Sequence, residues 1–159
     1  MKHKKLSTRL KLILIGMGLC GILIYLWIIP TLGQSIAASV PECAGAYMPW
    51  LIFLEVTAVP CYIALFFDWK IFDNIGRDNA FCIENGRYMK WISNLAFGDG
   101  MYFLLGNIVL LLFSINHPGV VVVSLLLVFV AIGISVAAGA LSHLIMDAAD
   151  LQEQSDFTI

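Results

Sequence analysis

The sequence predicts an all-α polytopic membrane protein: four transmembrane helices in an antiparallel bundle, with both termini cytoplasmic. Three observations carry the prediction. First, 60% of the 159 residues are hydrophobic and only 13% are charged, against about a quarter charged in soluble domains. Second, the mean hydropathy of +0.91 is more apolar surface than a soluble core of this size could hide. Third, the basic residues are segregated. Lys2, Lys4, Lys5, Arg9 and Lys11 precede the first apolar run, and Lys70, Arg77, Arg87 and Lys90 lie between the second and third, which accounts for all 9 Lys and Arg. The positive-inside rule then places both termini and the middle connection in the cytoplasm. The chain has room for about four spans of ~20 residues and no second domain.

The first span is expected over residues 12–29. A cleaved signal peptide competes, because basic residues lead and Ser35-Ile36-Ala37 resembles a cleavage site. The apolar core is longer than a signal's usual 7–15 residues, which favours a retained helix. Thr31 to Met48 reads as an external loop, mildly apolar and lying on the bundle or the lipid surface. The second span, 49–67, carries Glu55 and a kinking Pro60. A patterned cytoplasmic connection, 68–90, follows, in which Asp78-Asn79 can cap a new helix.

From there Phe81, Asn85, Tyr88, Ile92, Leu95 and Asp99 recur at steps of three or four and form one face of a helix entering the third span, 91–113. Tyr102, Phe103 and Gly106 extend that face, so Asp99 is expected to point into the bundle, with Asn94 at another interface. Asn116-His117-Pro118-Gly119 reads as a tight external turn. The fourth span, 120–145, is nearly all small residues in its inner half, and an acidic tail, 146–159, closes the chain. Gly133/Ala137 and Ser135/Gly139 have the four-residue spacing of close helix contacts. Packing within the bundle is one use of residues 131–142, and a homodimer is the other. The four cysteines, Cys20, Cys43, Cys61 and Cys82, fall in different compartments and suggest neither disulfide nor metal site.

Two carboxyls lie inside the apolar runs. At 1.5 Å per residue, Asp99 sits roughly 12 Å in from Trp91 at the inner boundary, and Glu55 about 10 Å nearer the outside. The two are therefore not expected to pair. Glu55 falls level with Asn107, Ser124 and Tyr25, and Asp99 level with Tyr62, Cys20 and the small residues of the fourth span. With no Lys or Arg at that depth, each acid is expected to hold its proton unless water enters. Three readings stay open: structural glue through a neutral carboxyl, a proton- or cation-linked path, and a ligand pocket between helices.

The residues point away from catalysis. Neither G-x-S-x-G nor H-E-x-x-H occurs. His3, His117 and His143 are scattered, so no metal or cofactor is expected. The basic residues suit anionic lipid heads rather than direct nucleic-acid reading.

The run Gly98-Asp99-Gly100-Met101-Tyr102-Phe103 with Gly106-Asn107, then Asn116-His117-Pro118-Gly119, Leu141-Ser142-His143-Leu144 and Ala149-Asp150-Leu151-Gln152-Glu153, resembles one bacterial family. It comprises the small four-helix membrane proteins catalogued as domain-of-unknown-function family 2975. The resemblance spans nearly the whole chain and departs from the family's acidic ending at Gln154-Ser155. It implies a multi-pass protein of the bacterial cytoplasmic membrane. Members are often encoded beside a very small helix-turn-helix regulator of the Cro type, which implies a membrane partner in gene regulation.

Two expectations follow. A non-enzymatic regulatory or sensory protein would hold that regulator through Phe72, Ile75, Phe81, Glu84, Asn85, Asp150 and Glu153. A small transporter or resistance protein would instead use Asp99 and Glu55, supported by Asn107 and Tyr62.

Overall fold

A proline without an N–H often ends a helix, yet the helix continues through Pro30 here. In the computed structural model, which describes residues 2–39, 45–116 and 118–156, α1 (Lys2–Leu23) passes through a π-helical turn, Ile24–Ile28, into α2 (Ile29–Ser39). The Ile29 N–H reaches back to the Ile24 carbonyl, and this wider turn makes room for the proline ring that follows. The hydroxyls of Thr31, Ser35 and Ser39 then donate to the carbonyls of Trp27, Thr31 and Ser35 at 2.6, 2.9 and 2.8 Å. The stretch expected as a loop from Thr31 is thus helical as far as Ser39. Glu42, Cys43 and His117, which the sequence places in external connections, lie outside the described residues.

Three more helices follow: α3 (Tyr47–Gly76), α4 (Ile83–Leu112) and α5 (Pro118–Asp156). Among the described residues every regular element is helical, and four stretches are long and apolar enough to cross a membrane. The 30 residues of α3 and 39 of α5 give lengths of about 45 and 58 Å, beyond a ~30 Å hydrocarbon core. The acidic tail is therefore a helical continuation of α5 as far as Asp156.

Among the described residues α1 packs on α3, α3 on α4 and α4 on α5, the last seam being the most extensive. On the α1–α3 seam the Tyr62 hydroxyl donates to the Gly18 carbonyl at 3.0 Å, and Tyr25 and Thr57 share a hydrogen bond at 3.0 Å. Two aromatic groups make the α3–α4 seam. Phe53 lies against Gly106, where a Cβ would collide with its ring, and stacks on Phe103 at 5.5 Å. Phe67 stacks on Tyr88 and Trp91 at 5.6 and 6.2 Å. The α4–α5 seam is made of small residues. Ser93 donates to the Ser135 carbonyl at 2.7 Å, Ser142 donates to the Gly86 carbonyl at 2.6 Å, and Gly100 lies on Ala131. Ser135 and Gly139 are thus used within the chain, whereas Gly133 and Ala137 face outward. Long apolar side chains such as Leu112 and Phe129 are exposed, as lipid-facing positions should be.

Both helical hairpins close the same way. After α3, the Asp78 N–H bonds the Ile75 carbonyl and the Asn79 N–H bonds that of Asn74; after α4, Ser114 and Ile115 bond Leu111 and Leu110 in the same pattern. Asp78 and Ser114 occupy the left-handed region, at φ 60° and 57°. This is the helix-ending motif that usually takes glycine at that position. The pair Asp78-Asn79 therefore terminates α3 rather than capping α4. The fourth helix begins later, after Cys82 in extended conformation, and Phe81 stands in the turn before it. The second turn likewise falls earlier than expected, around Phe113–Asn116, and Pro118 opens α5, where a missing N–H costs nothing.

Candidate functional site

A polar side chain removed from water must find partners or lose free energy. The two asparagines expected to serve partners or acids find theirs inside the fold. Asn85 is 0% exposed: its amide donates to the Ala80 carbonyl at 2.9 Å, and its oxygen accepts from Asn74 at 2.7 Å. It ties the end of α3 to the start of α4 and cannot be a docking residue. Asn107, 1% exposed, donates to the Phe103 carbonyl at 2.8 Å and accepts from Asn116 at 2.9 Å. It fastens the α4–α5 turn and is not a partner for either acid. Asn74 was missed in the sequence, although a second amide eleven residues before Asn85 is the kind of signal that could have found it.

Of the other expected neighbours Cys20 is an exposed free thiol, and three are engaged elsewhere. Tyr62 is bonded to α1, Tyr25 to Thr57, and Ser124 to the Val121 carbonyl at 2.7 Å. Glu55 is half-buried on α3, with no hydrogen bond or ion pair to any described residue.

Asp99 shares with Glu55 the lack of a partner but differs in its shielded oxygen and its place in a cleft. It is half-buried on α4, and its Oδ1 is shielded with no hydrogen-bond partner. It lines a cleft of about 200 Å³ between α3 and α4, with Val56 and Pro60 on one wall and Asn94, Gly98 and Tyr102 on the other. Asn94 thus shares a cleft with Asp99, contrary to its expected place at another interface. The cleft lies between two aromatic groups that join α3 to α4. Phe53 with Tyr102 and Phe103 stands toward one end, and Phe67 with Tyr88 and Trp91 toward the other. Between them Gly98 would place a Cβ in open space. Pro60 adds a second polar feature, since it lacks the N–H that would bond the Val56 carbonyl. Glu55 does not line this cleft.

A second region lies at the end where the basic residues gather. There Lys11 is ion-paired with Asp73, Ser7 donates to the Phe72 carbonyl at 2.5 Å, and Lys11 sits 4.9 Å from the Trp69 ring centre. Phe72 and Ile75, expected to face a partner, pack in part on the core of Ile71, Ile92 and Ala138. Phe81 is 59% exposed, and Glu84, Asp150 and Glu153 are exposed as well. A groove of about 390 Å³ joins the turn to the end of α5, with Phe81, Cys82 and Ile83 facing Ala149, Gln152 and Glu153.

Among the described residues no three His, Cys, Asp or Glu side chains converge as a metal site would need. At the opposite end an apolar cavity of about 230 Å³ lies between α2 (Gly33, Ile36, Ala37), Trp50 on α3, and Asn116.

Comparison with known proteins fits this architecture. The chain is similar to the uncharacterized membrane protein YoaS of Bacillus subtilis (strain 168), 30% identical over 155 residues that cover 95% of this chain and 94% of the relative. No solved structure matches. The model of a family described as protein of unknown function (DUF2975) matches residues 31–159, which include the third and fourth spans, the Asp99 cleft and the groove. The chain therefore belongs to the DUF2975 family.

Proposed function

We propose that this is a non-enzymatic regulatory or sensory protein of the bacterial cytoplasmic membrane. Its basic end faces the cytoplasm and holds a small helix-turn-helix transcriptional regulator. The observation that carries the reading is the groove between the α3–α4 turn and the end of α5, which lies beyond the hydrocarbon-spanning length of both helices. An exposed aromatic in a polar groove is the usual anchor of a protein interface, and Phe81 supplies it. Glu84, Asp150 and Glu153 around it suit the basic surface that a DNA-binding partner carries. Holding the regulator through that surface would keep it from DNA, since one basic face cannot serve both. Phe72, Ile75 and Asn85 support the groove from within rather than touching the partner.

The test is capture of a small helix-turn-helix regulator of the Cro type by this protein in nanodiscs. The expected result is retention that falls about tenfold for Phe81→Ala and for Glu153→Lys, in keeping with loss of an interface anchor. Absence of retention both in nanodiscs and in detergent overturns the reading.

A second reading, proton- or cation-linked transport, is favoured by the unpaired Asp99 but loses Glu55, which stands apart from the cleft. Flux in liposomes that vanishes with Asp99→Asn supports it, and no flux from the wild type removes it.

A further inference from the structure

A carboxyl within a membrane-spanning helix is costly unless something answers it. Among the described residues no side chain or backbone group hydrogen-bonds or ion-pairs with Asp99. Its Oδ1 is shielded and has no hydrogen-bond partner among the described residues, while the Tyr62 hydroxyl, expected level with it, is bonded to the Gly18 carbonyl. The space beside it is a cleft of about 200 Å³ that lies between two aromatic groups, Phe53 with Tyr102 and Phe103 and Phe67 with Tyr88 and Trp91. The cleft opens sideways. Val56 and Tyr102 on its walls are 44% and 38% exposed, and Gly98 and Asn94 are exposed as well. At this depth sideways means toward lipid, not toward either water phase.

We propose that this cleft is a binding site for an amphipathic organic cation, a protonated amine whose apolar body partitions into the bilayer. Each part of the site selects one part of that ligand. The lipid-side opening admits a molecule already dissolved in the membrane and excludes a hydrated inorganic ion, which has no route there. The Asp99 carboxylate takes the ammonium in a charge-assisted hydrogen bond. The Val56 carbonyl, without an N–H from Pro60, is a second acceptor on the facing wall. The volume is below the ~300 Å³ of ordinary drug pockets, so the cleft seats the ammonium head and leaves the apolar body in lipid. The inference stands apart from the regulator reading: the site can fill whether or not a partner occupies the groove.

The experiment measures energy transfer from the protein's tryptophans to a dansyl-labelled alkylamine, with the protein in nanodiscs. The matched dansyl-labelled alcohol serves as the uncharged control. The wild type should show saturable transfer with the amine and only a linear partitioning signal with the alcohol. Asp99→Asn should weaken amine binding about tenfold or more, the scale of a lost charge-assisted contact, and Asp99→Glu should keep most of it. Gly98→Leu is the second variant: it fills the cleft, leaves the carboxyl in place and removes a helix-weakening glycine. It should abolish saturation. Equal binding of amine and alcohol overturns the proposal, as does no saturable signal in the wild type. So does unchanged binding in either Asp99→Asn or Gly98→Leu.

Discussion

The two ends of α4 and its middle treat buried polarity in opposite ways. At the ends, Asn85 and Asn107 are the most completely enclosed side chains of their size, and each has a donor and an acceptor within 2.9 Å. In the middle, Asp99 has a shielded oxygen with nothing to bond and a cleft beside it. A satisfied buried amide fixes one arrangement of the chain. An unsatisfied carboxyl contributes nothing to the fold that a smaller neutral residue would not. The ends of α4 are thus built for structure, and its middle for something that arrives.

That contrast can be broken by mutation. Asn85→Ala should have the largest effect, because it strands the Asn74 amide and the Ala80 carbonyl together. We expect a loss of about 3 kcal/mol in detergent unfolding titrations. Asn107→Ala removes the partner of Asn116 and should cost about 2 kcal/mol in the same assay. Ser142→Ala loses one bond across the α4–α5 seam, to the Gly86 carbonyl, and should lower stability by about 1 kcal/mol. Ser114→Gly relieves a left-handed serine at φ 57°, so the thermal midpoint should rise, by about 0.5–1 kcal/mol in stability terms. A destabilised Ser114→Gly would mean that the turn is held by more than its backbone motif.

The four spans were legible because hydropathy and the segregation of Lys and Arg are properties of composition, independent of which faces meet. Helix ends were less so. The first span was expected to end at residue 29, but the π-helical turn before Pro30, a backbone adjustment with no sequence signature, carries the helix on to Ser39. Asp78-Asn79 has the composition of a cap, but the same residues suit a left-handed helix ending, and the tertiary tie from Asn74 to Asn85 decides between them. Depth along the helices separates Glu55 from Asp99 in the sequence, and Glu55 does not line the Asp99 cleft. Depth could not tell that Tyr62 turns toward Gly18, because it fixes height along a helix and says nothing of which neighbour a side chain faces. Asn94 shows the same limit. It lies about 140° round the helix axis from Asp99, yet it lines the same cleft, which angular position on one helix does not reveal.

Asp99→Asn gives the smallest predicted effect on folding and the most direct test of the contrast. Its unfolding free energy, measured beside Asn85→Ala in the same detergent, should fall within about 0.5 kcal/mol of the wild type, because no hydrogen bond is lost. A loss as large as that of Asn85→Ala would make the carboxyl part of the scaffold and contradict the account.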